Sequence, residues 1–136
     1  MRPKVVFDTN IFISAIIFGG NPRTCLELAR QEKIDLYSSR EIFFELAQKL
    51  KNKFDWNDEE VTELLQGLSR FIRVVNPKEK IFIIKNDPTD NKILECAKTA
   101  GVKYIVSGDI KHLLALGNFE KIKIVNAKGF LDMFYK

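Results

Sequence analysis

The chain has 136 residues, 46% apolar and 29% charged, which fits a single domain spanning residues 1–136 and argues against disorder. Lys and Arg outnumber Asp and Glu by 22 to 18; the net +4 permits a nucleic-acid partner without requiring one. Two cysteines and one histidine, His112, exclude a zinc module and suit a reducing, cytoplasmic compartment, and no apolar window is long enough to span a membrane.

Residues 4–8 read as a short buried strand, because Val5, Val6 and Phe7 run continuously rather than alternating. Arg2 and Lys4 precede this apolar run, but Asp8, Asn10 and Ser14 interrupt it, so it reads as mature structure rather than a signal peptide. A helical stretch over 11–18 stops at Gly19-Gly20, and Asn21-Pro22 restarts a helix with Asn21 as its cap. A second strand covers 34–37. Ser38 with Glu41 has capping-box spacing and opens a helix to about Lys53; Asn57 with Glu60 opens another. The cluster KLKNK, residues 49–53, reads as a solvated helix face. Residues 71–75 form a third strand candidate, followed by an apolar segment over 81–84. Asp87-Pro88 starts a helix through Ala97 and Ala100 that Gly101 stops. Strands at 104–106 and 122–125 flank a short helix over 113–116, and Asn126 caps a terminal helix. Strands alternating with helices predict an α/β fold, a three-layer α/β/α domain around a mostly parallel sheet.

In such a sheet ligands bind beyond the carboxyl ends of the strands. Asp8 falls at one strand end and Asp109 at another, while Asp87 and Asp90 stand at the start of the helix feeding the second. Each has a plain alternative. Asp87 and Asp109 fit helix caps, and Asp8 is the hardest to explain that way, since a carboxylate in the most apolar stretch costs several kcal/mol unless paired or bound to a cation. Together the acids would repel one another, and a hard divalent cation, Mg²⁺ or Mn²⁺, relieves that repulsion with oxygen ligands.

FDTN at the first strand end, and DPTDNKILECA followed by YIVSGD and HLLALG, resemble the PIN-domain nucleases, in particular the toxin components of toxin–antitoxin pairs. The resemblance runs through nearly the whole chain in order. It implies a PIN-like fold and a pocket of four acids binding one or two divalent cations. Asp8, Asp90 and Asp109 match that pattern directly. Glu45 in EIFFELAQKL is the best match for the fourth, with Glu41 as its competitor; periodicity alone reads Glu45 as an i, i+4 partner of Lys49. His112 stands where relatives often carry another Asp. Asn10 matches the small polar residue beside the first Asp, and Asp87 and Asn91 are further candidates to orient ligands from outside the pocket.

The expected function is metal-dependent hydrolysis of RNA phosphodiester bonds by Asp8, Glu45, Asp90 and Asp109. The cation would activate and orient water and stabilise charge on the phosphate. Arg23, Arg40, Lys49 and Lys111 are candidates to track the RNA backbone. Expected partners are an antitoxin protein and a second copy of the chain as a homodimer. A haloacid-dehalogenase-like phosphatase is the rival enzyme, but it needs an acid where Asn10 stands. The rival outside enzymology is an inert PIN-like module that binds nucleic acid or serves as a scaffold.

Overall fold

The computed structural model describes residues 2–82, 84, 90–109 and 111–136. The continuous apolar run becomes strand β1 (Lys4–Phe7), with Val5, Val6 and Phe7 all buried. Helix α1 (Thr9–Ile13) follows Asp8 directly and continues as a π-helical turn over Ser14–Phe18. Helix α2 (Gly20–Arg30) is capped by Gly19, not by the expected Asn21. Gly19 takes φ +90, a conformation that costs glycine little, and the helix starts one residue before Asn21. Pro22 still lies in the first turn, where a missing N–H costs nothing.

Strand β2 (Asp35–Ser39) runs two residues further than expected, because Ser38 and Ser39 pair with Val74 and Val75 of β3 (Ile72–Val75). The cap of α3 (Arg40–Phe54) therefore moves from Ser38 to Ser39, whose Oγ accepts from Ile42 N. Helix α4 (Asp58–Ser69) carries the expected Asn57–Glu60 capping box. Helix α5 (Asn91–Ala100) ends at Gly101 in the left-handed conformation; Asp87 and Pro88, expected at its start, lie outside the described residues. Strand β4 (Tyr104–Val106), helix α6 (Leu113–Leu116), strands β5 (Asn118–Phe119) and β6 (Ile122–Val125), and helix α7 (Ala127–Phe134) complete the order, with Asn126 capping α7 as expected. Described residues of the 81–84 segment form no strand.

The strands make a six-stranded sheet in the order β3-β2-β1-β4-β6-β5, parallel except for the short β5 at one edge. This is the expected mostly parallel α/β architecture, with α5 across β1 to β4 and α2 packed on α7. The chain winds outward from β1 to β3, then returns to place β4 on the other side of β1. The reversal between β1 and β4 is where a parallel α/β sheet opens a crevice. No described helix is long and apolar enough to cross a membrane.

Candidate active site

Asp8 stands in that crevice. Its N–H donates to Val106 O at 2.9 Å, carrying the β1–β4 ladder one residue beyond the strand. It occupies the cap position of α1, but its side chain makes no capping hydrogen bond. Instead Oδ2 accepts from Ser107 Oγ at 2.8 Å, and the residue is only 3% exposed. Burial pushes the Asp8 carboxyl above its ordinary range; Ser107, the nearby Asn10 N–H and Lys49 oppose that rise, and Glu45 adds to it. Ser107 Oγ also accepts from Asp109 N at 3.0 Å. One hydroxyl thus couples the ends of β1 and β4.

Asp109 closes the β4 end. Its Oδ1 accepts from His112 N at 3.2 Å, so it does part of the capping work expected of it, while Oδ2 lies 3.2 Å from His112 Nδ1. The same Nδ1 is 3.3 Å from Oδ2 of Asp90, the cap residue of α5. One ligand atom from each of Asp90, Asp109 and His112 falls within 4.8 Å of the others. Burial raises the Asp109 carboxyl, but a side-chain hydrogen bond with Asp90, the His112 N–H and the neighbouring imidazole outweigh it and hold the group below its usual range. Two acids this close together are the situation a cation relieves.

Glu45 comes from the second turn of α3. Its Oε1 accepts from Thr9 Oγ1, and Oε2 lies 3.3 Å from Lys92 Nζ. The expected Lys49 pair is present but longer, at 4.0 Å, and Lys49 Nζ also donates to Asn10 Oδ1 at 3.0 Å. Lys49 therefore leaves the solvated face that its cluster suggested. Glu45 is half-buried beside Thr9, the neighbour of Asp8, while Glu41 is exposed. Asn91 spends both ends of its amide on the backbone of Ile84, at 2.9 and 2.8 Å. Asp87 lies outside the described residues. Arg23 is occupied by the carbonyls of Ala15 and Ile16; Arg40 and Lys111 are exposed.

The structure therefore brings Asp8, Asp90, Asp109, His112 and Glu45 together at the carboxyl end of the sheet. Ser107, Thr9 and Lys92 join them without having been singled out from sequence. Their only signal there was adjacency, in SGD, DTN and DNK. The donors are carboxylate oxygens and one imidazole nitrogen, which suit a hard divalent cation. No thiolate competes: Cys25 and Cys96 are buried, and burial pushes both thiols up to about 12.

A family model described as PIN domain matches residues 4–111. An uncharacterized protein of Methanocaldococcus jannaschii is 32% identical over 149 aligned positions, covering 100% of this chain and 94% of that protein. Among solved structures, DNA-bound VapBC from Salmonella typhimurium aligns over 93% of this chain and 99% of that one, with TM-score 0.63 and 16% identity. PAE2754 from Pyrobaculum aerophilum aligns over 98% of this chain and 96% of that one, with TM-score 0.60 and 10% identity. Those two likenesses concern the fold, and with the family match they mean that the chain belongs to the PIN-domain family, whose members are generally nucleases.

Proposed function

We propose that this chain is a single-domain, divalent-metal-dependent endoribonuclease that acts as the toxin of a toxin–antitoxin pair. Asp8, Glu45, Asp90 and Asp109 would hold Mg²⁺ or Mn²⁺, with His112 beside them. The observation that carries the reading is the gathering of these carboxylates at the β1–β4 crevice, with Asp90 and Asp109 close enough to share one ion.

A bound cation would supply Lewis acidity, lowering the pKa of water and neutralising charge on the phosphate. The chain's own residues supply the rest. Ser107 fixes the rotamer of Asp8 and ties it to the Asp109 backbone. Thr9 orients Glu45. Lys49 and Lys92 stand beside Glu45, where they offset its charge and offer cations to a phosphodiester backbone. Asn10, whose carboxamide oxygen accepts from Lys49, steadies that lysine; an amide there cannot do the acid–base work a dehalogenase-like phosphatase needs. The fold likeness to VapBC supports an antitoxin as partner, and homodimer formation and a cytoplasmic location belong to the same proposal.

The test is cleavage of a labelled mixed-sequence RNA by purified protein in Mg²⁺, Mn²⁺ or EDTA, beside Asp8→Asn and Asp109→Asn. The expected result is metal-dependent cutting that each substitution lowers about a thousandfold or more. Cutting that survives EDTA and both substitutions would remove the carboxylate pocket from the chemistry. No cutting, with no Mn²⁺ uptake by calorimetry, would leave the inert binding module.

A further inference from the structure

Beside the acid cluster, α3 and the start of α5 border an open groove of about 930 Å³. Glu45 and Lys92 line both the groove and the cluster, so the two are continuous. On α3, Ile42, Leu46 and Leu50 face the core, which turns Phe44 outward with 59% of its surface exposed. Phe18 and Phe82 are more exposed still, but neither lines this groove. What distinguishes Phe44 is its company. Phe43 adds a second aromatic wall, Gln48 and Asn76 bring carboxamides, and Arg40 and Lys92 bring cations.

That is the chemistry of a nucleotide berth. An aromatic face takes a base by stacking, carboxamides match the mixed donors and acceptors of a base edge, and cations meet the phosphate. The geometry points to this groove as the seat of an unpaired RNA nucleotide flanking the phosphate held at the carboxylates, with Phe44 as its stacking platform. The assignment rests on the nuclease reading above and adds a preference to it: the strand must present a free base face, which a duplex does not. Glu41 and Glu45 also line the groove. Glu45 has Lys92 and Lys49 beside it, and Glu41 is exposed to screening solvent.

The experiment is fluorescence anisotropy in EDTA, where no metal-dependent cutting occurs, with a fluorescein-labelled single-stranded RNA and a blunt-ended RNA duplex. Phe44→Ala is expected to bind the single strand about tenfold more weakly, Phe44→Trp to restore binding, and neither to change duplex binding. Gln48→Ala, at another exposed position of α3, is expected to weaken single-strand binding about threefold and gives an independent reading should Phe44→Ala lower the melting temperature. Unchanged single-strand binding by Phe44→Ala and Gln48→Ala would overturn the assignment. Equal losses on single strand and duplex would do so too, as would a dimer that light scattering shows falling to monomer in Phe44→Ala, which would make Phe44 a subunit contact. Cleavage by the wild type in Mn²⁺ is scored separately, so failure of the nuclease reading and failure of the berth stay distinguishable.

Discussion

The two ends of the sheet treat acids differently. At the amino ends of the strands Asp35 lies 3.0 Å from Arg2 and 3.8 Å from Arg73, and Lys4 and Arg73 sit over the Tyr37 ring. At the carboxyl ends Asp8 is met by the Ser107 hydroxyl, and Asp109 by a backbone N–H and an imidazole. Exposure does not separate the two regions, since the side chains of Asp35 and Asp109 are 16% and 18% exposed. The difference is the partner. One end neutralises its acid with guanidinium groups built into the fold, whereas the other collects acids around a position that a cation can take. Burial alone therefore does not separate the two kinds of carboxylate; the chemistry of their neighbours does.

The sharpest way to test that contrast is to add the cation. Mn²⁺ at about a hundred times its dissociation constant should stabilise the wild type by roughly 2.7 kcal/mol. Calorimetric melting should show the gain lost in Asp109→Asn and kept in Asp35→Asn. A gain that follows Asp35 instead would dissolve the distinction between the two ends.

A smaller effect runs the other way without metal. In EDTA, Asp8→Asn should stabilise the fold by about 1–2 kcal/mol near neutral pH, because the wild type buries a charge there. The sign follows from linkage. Asp8 has a raised pKa, so above the ordinary value of 3.8 the unfolded chain gives up this proton before the folded chain does, and the wild type loses stability as pH rises. Asp109, held low, contributes with the opposite sign: its stabilisation is present above 3.8 and fades as pH falls. Urea titrations of both Asn variants across that range should therefore diverge, and parallel curves would refute the assignment of causes. The smallest effect belongs to the amino end, where Arg2→Ala should cost about 0.5 kcal/mol or less and leave cleavage unchanged, because the pair is partly exposed and Arg73 remains.

Much of this was legible before any coordinates. Continuous apolar strands, the Asn57 and Asn126 caps and the Gly101 stop lie in local chemistry, and the structure keeps them. The errors come where a distant partner decides. Ser38 and Ser39 both suit a cap, and only pairing with Val74 and Val75 selects the second. The two-residue β5 exists because β6 lies beside it. In the site, Asp8, Asp90 and Asp109 stood out through motifs at strand and helix ends. Glu45 was reached only through the family resemblance, since its hydrogen-bond donor Thr9 is 36 residues away and its helix periodicity reads as surface. Ser107 serves Asp8 from 99 residues away, a distance no local window covers.

That last separation has a consequence for biosynthesis. Asp8 is made first, and the hydroxyl that orients it and the strand that flanks it follow some hundred residues later. Contacts of such long range form late in folding. A nascent or truncated chain that stops before β4 holds Asp8 and Glu45 but lacks the opposite wall of the crevice, so interrupted translation of this gene yields fragments in which the carboxylate cluster cannot assemble.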